Sequence, residues 1–119
     1  MFMPCRENAD IAWSKIVGYL LNDQRPEGQD QARVLKRYGY SEGNALELWR
    51  TLLTLARSTE YVESSTTRHG IKYVFEDEIP TPSGKPLHLR MIWQINHGSQ
   101  VPHFVTAYPI PRKRGRRQS

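Results

Sequence analysis

The sequence holds one cysteine, Cys5. No internal disulfide can therefore close, which fits a reducing cytoplasm. Long apolar runs are missing as well. The best candidate, Ile16 to Leu21, is broken by Gly18 and falls far short of the ~20 residues of a membrane span. The N-terminus has no basic segment followed by an apolar one, so no secretory signal is expected. Gly18, Gly28, Gly39 and Gly43 are isolated, which leaves no glycine-rich phosphate loop. Four histidines are scattered without metal-ligand spacing or a cysteine partner, so neither a metal nor a cofactor is expected. The serines lack the setting of a nucleophile elbow.

Acidic residues are absent from one place that changes the meaning of the net charge. Residues 112–119 carry Arg112, Lys113, Arg114, Arg116 and Arg117 and no carboxylate. Of the 17 basic residues in the chain, the other 12 equal the 12 acidic ones, so the whole formal charge of +5 belongs to this tail. A basic footprint spread over the body would point to nucleic acid by itself; this distribution does not. The tail reads as disordered. It either contacts RNA or DNA phosphate non-specifically or simply keeps the chain soluble.

What remains is a body of ordinary soluble composition, long enough for one modest core. Residues 1–9 read as a flexible lead-in and 10–111 as a single domain. Trp13, Ile16, Val17 and Leu20 follow helical spacing over Asp10 to Asn22. Asp30 can cap a second helix bearing Ala32, Val34, Leu35 and Tyr38 and closed by Gly39. Asn44 can cap a third, whose stripe is Ala45, Leu48, Trp49, Leu52 and Ala56. The period then changes to two. Tyr61 to Thr67 reads as an edge strand, and Ile71, Tyr73 and Phe75 mark a second strand that fades at Pro80. After a turn at Ser83-Gly84, Leu87, Leu89, Met91, Trp93 and Ile95 form an unbroken alternating series. Val101 to Tyr108 closes the set. Helices first and strands after predict an α+β domain, with three N-terminal helices packed on one face of a four-stranded antiparallel sheet.

A sheet covered on one side leaves the other for chemistry. Pleating sends His88, Arg90 and Gln94 to the open face, with Lys72 and Glu76 from the second strand. In the last strand Val105 and Ala107 are expected to face the core, which turns Phe104, Thr106 and Tyr108 outward. His103, after Pro102, is expected at the sheet's rim. This set matches the needs of metal-independent RNA cleavage: a base for the 2′-hydroxyl, an acid for the leaving oxygen, and cations for the phosphorane. His88 suits acid or base work because imidazole titrates near neutrality. Arg90 can grip two phosphate oxygens at once. Glu76 is the spare carboxylate, Lys72, Thr106 and Tyr108 can hold the phosphate or the attacking hydroxyl, and His103 can assist with Tyr108. The plainer reading is a solvated sheet face of mixed polar residues. Trp13, Trp49 and Trp93 all fall on stripes assigned to the core.

Tyr19-Leu20-Leu21-Asn22, Pro26-Glu27-Gly28, Gly39-Tyr40, Gly70-Ile71-Lys72-Tyr73, the Trp93 strand and Val105-Thr106-Ala107-Tyr108-Pro109 together resemble a small bacterial family of uncharacterised domains. The resemblance covers about residues 10 to 110. The closing pentapeptide, following helices and four strands, is also similar to the barnase–EndoU–colicin–RelE group of ribonuclease toxins. That resemblance implies a metal-independent, toxin-type ribonuclease whose partners are RNA and an acidic antitoxin or immunity protein. It supports Lys72, Arg90 and Thr106 as site positions. The chain departs from the pattern at Arg25, where relatives have histidine, at Gln31, where they have lysine, and at His103, where they have arginine. Two other readings stand beside the ribonuclease. One is a non-catalytic RNA- or protein-binding module. The other is an adaptor that forms a weak dimer through the edge strand near Tyr61 to Thr67.

Overall fold

The computed structural model describes residues 1–111; the basic tail lies outside the described residues. A short helix α1 (Trp13–Lys15) runs directly into a π-turn (Ile16–Leu20). Helices α2 (Gln29–Arg37) and α3 (Ala45–Ser58) follow, and then strands β1 (Glu63–Thr66), β2 (Gly70–Ile79), β3 (Leu87–Asn96) and β4 (His103–Pro109). The four strands form one antiparallel sheet in sequence order, as hairpin links dictate. This is the α+β architecture that the change of period from 3.6 to 2 predicts.

The covered face carries Tyr73, Phe75, Ile79, Leu87, Leu89, Met91, Trp93, Phe104 and Ala107. All are buried, and they share one core with Leu35, Leu48 and Leu52 from the helices. Trp93 meets Phe104 edge-on at 5.5 Å between ring centres, a geometry that the ring quadrupoles favour. Residues 1–9 contribute to this core through Met3 and Ala9, and the Arg57 guanidinium donates to the Ala9 carbonyl at 2.7 Å.

Four local expectations are corrected. The first helix is not a regular helix from Asp10 to Asn22: the Leu21 amide donates to the Ile16 carbonyl at 2.9 Å, five residues back. Trp13, placed on its core stripe, is 47% exposed. Helix α2 is capped by Gly28 in the left-handed conformation rather than by Asp30, which lies within the first turn. In β4, Phe104 is buried and Val105 exposed, the reverse of the expected facing. The cause is a β-bulge: Ile92 pairs with Thr106 but Trp93 pairs with Phe104, leaving Val105 as the extra residue. The bulge lets Phe104 and Ala107 both face the core, and it keeps Thr106 and Tyr108 on the open face.

Candidate functional site

The register fixes the polar face. Reading across β2, β3 and β4, Glu76 lies opposite Arg90 and Arg90 opposite Tyr108. Glu78 faces His88, and Lys72 faces Gln94, which in turn pairs with His103. Directly opposed residues of antiparallel strands hold their Cβ atoms within ~4.5–5.5 Å, which brings Arg90 onto Glu76 and Tyr108 and His88 beside Glu78.

The central row is the tightest. Both Arg90 Nε, at 2.7 Å, and Nη2 donate to Glu76 Oε2. Nη1 donates to the Tyr108 hydroxyl at 3.4 Å, with the guanidinium 6.0 Å from the Tyr108 ring centre. The hydroxyl of Tyr108 and the carboxylate of Glu76 both raise the Arg90 pKa above its ordinary value. The guanidinium is thus a fixed positive charge. Glu76 is largely buried, at 11% exposure, while Arg90 remains 39% exposed; the cation therefore presents its outer edge to solvent.

Beside this row lies a contact that the sequence did not foreshadow. The Tyr19 and Thr106 hydroxyls are hydrogen-bonded at 3.0 Å. Strand β4 is the outer strand of the sheet, so Tyr19 reaches Thr106 past the sheet edge. Tyr19 belongs to the π-turn, between the buried Ile16 and Leu20, and is itself partly packed against the core. Lys15 Nζ lies 5.2 Å and the Arg25 guanidinium 5.0 Å from the centre of the Tyr19 ring, within cation–π range. Tyr19, Gly28, Gln31 and Thr106 line a depression of about 10 Å³, room for about one water. Arg25 and Gln31, two positions where the chain departs from the pattern it resembles, therefore both belong to this corner. Tyr19 opens the Tyr19-Leu20-Leu21-Asn22 segment of the resemblance, but its place off the apolar stripe gives it no chemical role in the sequence.

The remaining candidates separate. His88 shares the face of Arg90 but turns toward Glu78, with Nδ1 3.9 Å from the carboxylate. That nitrogen is buried and has no hydrogen-bond partner among the described residues. Lys72 is half-buried at the opposite end of the face. His103 is exposed at the start of β4, bridged through its backbone to Asp10. Arg90, Glu76 and Tyr108 are thus brought together, Thr106 is joined to Tyr19, and His88 lies one pleat along. Lys72 and His103 stand apart. Among the described residues no group of three or more histidine, cysteine or carboxylate side chains could hold a metal ion. No helix there is long and apolar enough to cross a membrane.

A helix-covered, four-stranded antiparallel sheet with a polar reverse defines the class: a small α+β domain of a fold known from a bacterial toxin system. A chain of the contact-dependent growth inhibition toxin–immunity protein complex from Klebsiella pneumoniae 342 is similar at a TM-score of 0.68, over 91% of this chain and 98% of that one. At 21% identity this likeness is one of fold. The chain belongs to the family described as Domain of unknown function (DUF6883), whose model matches residues 3–111. No curated protein sequence matches it.

Proposed function

We propose that the chain is a toxin-type, metal-independent ribonuclease-like domain acting on RNA phosphodiesters. The observation that carries this reading is the row Glu76–Arg90–Tyr108, with His88 one pleat away on the same face. Glu76 and His88 are diagonal neighbours across β2 and β3, which separates them by ~7–8 Å. A phosphodiester seated on Arg90 would have a carboxylate on one side and an imidazole on the other. Glu76 then takes the 2′-hydroxyl proton, and His88 delivers a proton to the departing 5′-oxygen. Arg90 and the Tyr108 hydroxyl hold the charge that builds on the phosphorane oxygens. Thr106, tied to Tyr19, and the flanking Lys15 and Arg25 position the neighbouring strand. Lys72 and His103 lie too far along the face for the reaction and serve at most to bind RNA.

The fold likeness supports the toxin setting, since the neighbouring complex joins a toxin to an immunity protein. By extension, the partner here is an acidic immunity-type protein that covers the Arg90 face. The second reading, a non-catalytic module binding RNA or protein through that face, draws support from the arginine–carboxylate pair itself, since such pairs are also ordinary structural links.

Cleavage of single-stranded RNA in the presence of EDTA tests the enzyme reading. The native chain is expected to produce cyclic phosphate ends. His88→Ala and Arg90→Ala should each lose at least ~100-fold in rate with the fold retained by circular dichroism. A folded native protein that leaves RNA intact between pH 5 and 8 would refute the enzyme and leave the binding module.

A further inference from the structure

His88 marks a second feature on the far side from Arg90. The residue lines a cavity of about 140 Å³ together with Tyr38, Glu78, Pro86, Leu87 and Ile110. Tyr38 also walls an adjoining cleft of about 290 Å³, whose other sides are Arg37, Ser83 and Lys85. Neither Arg37 nor Lys85 has a carboxylate partner among the described residues, unlike Arg25, Lys36 and Arg90. Unpaired cations across a cleft walled by a phenol and a serine suit an anion that carries hydrogen-bonding groups.

The cleft is built rather than incidental. The β2–β3 connection is fastened to the end of α2, where the Ser83 amide donates to the Tyr38 carbonyl at 3.0 Å. Gly39, at φ 99°, lets Pro82 and Ser83 approach so closely that a Cβ there would lie 3.0 Å from each. Lys85 is thereby held over the last turn of α2, which presents Arg37. His88 and Arg90 are two residues apart in β3, about 7 Å, so the cavity that His88 lines adjoins the row proposed to bind the scissile phosphate, and Tyr38, shared by both, joins that cavity to the cleft. Glu78 repels a phosphate from the inner cavity. It therefore directs the anion to the Arg37–Lys85 side and leaves the Tyr38–His88 side for a sugar or base.

We infer that the Arg37–Tyr38–Lys85 cleft is a second phosphate subsite, which takes the phosphodiester of the nucleotide next to the cleaved one. This rests on the ribonuclease reading but is tested apart from it. The probe is a short single-stranded RNA with 2′-fluoro ribose, which lacks the attacking hydroxyl. Arg37 and Lys85 are both exposed, so Arg37→Gln/Lys85→Gln should fold normally. Its affinity for the probe should fall roughly 10-fold. The salt dependence of binding should flatten by about 0.7, the contribution of one single-strand phosphate contact. On cleavable RNA the double variant should raise KM with kcat retained. If the native chain binds and cleaves while the double variant matches it in affinity and salt slope, the subsite is wrong and the ribonuclease stands. If the native chain binds the probe and does not cleave, yet the double variant loses binding, the ribonuclease is wrong and the cleft stands as a phosphate site of an RNA-binding module. A native chain that does not bind the probe overturns the subsite, and one that also leaves RNA intact overturns the ribonuclease.

Discussion

Single side chains in this protein do unequal work, and Tyr40 shows how burial alone makes one matter. Only 2% exposed, it donates its hydroxyl to the Pro80 carbonyl at 3.1 Å and so ties the end of β2 to the loop after α2. Burial first, and the charge of Glu47 second, push its pKa up to about 12 from 10.0. The folded chain therefore holds this proton more tightly than the unfolded one. The resulting stabilisation is complete below pH 10 and is lost as pH rises through about 12. A displacement of this size corresponds to roughly 2–3 kcal/mol. Tyr40→Phe should cost about 1 kcal/mol at pH 7, the worth of one hydrogen bond, and should flatten the decline between pH 10 and 12. Urea midpoints measured across that range check both effects; an unchanged alkaline slope in the variant would assign the decline to other groups, such as Tyr73, which burial also shifts upward.

At the level of elements, two irregularities place the candidate site, and neither was legible in the sequence. The regular parts were. Leu87 to Ile95 alternates so strictly that its covered face, and hence Arg90 on the reverse, follows from the pleat alone. Glu76 and Tyr108 follow once the hairpin registers are known. The facing of β4 was misread because alternation was carried through Val105, where a bulge adds a residue. Tyr19 was missed because its meeting with Thr106, 87 positions away, joins the π-turn to the edge strand β4. Tight approach between elements was equally invisible. A Cβ on Gly70 would lie 2.0 Å from the Ile95 carbonyl oxygen and 2.7 Å from the Asn96 Cα. These are backbone atoms of the paired strand and cannot swing aside. Gly70→Ala is therefore expected to reach the upper end of the ~1–3 kcal/mol cost of overpacking. Denaturant unfolding measures it, and a loss below about 0.5 kcal/mol would mean that the β2–β3 pairing yields readily at this end.

Over the whole molecule, charge divides the proposed work between body and tail. The body is formally neutral, and its arginines and lysines are partly matched to carboxylates, as Arg90 is to Glu76 and Lys36 to Asp23. On the proposed reading such a body offers local grips on phosphate, at Arg90 and in the Tyr38 cleft, and little long-range attraction. The five cations of residues 112–119 supply that attraction if the substrate is RNA. The two contributions differ in kind. A tail that gathers RNA by counterion release raises affinity for any sequence and weakens steeply with salt, whereas in the proposed enzyme the face around Arg90 would set the chemical step. Removing residues 112–119 should therefore lower the salt slope of single-stranded RNA binding by as much as about 3.5, at ~0.7 per contact. It should leave kcat on saturating RNA within about twofold, since no tail residue is needed for a step that only transition-state contacts accelerate. Filter binding between 50 and 200 mM salt, run beside a saturating cleavage assay, separates the two. An unaltered slope after truncation would remove the tail from RNA binding, and a collapse of kcat would place one of its arginines at the scissile phosphate.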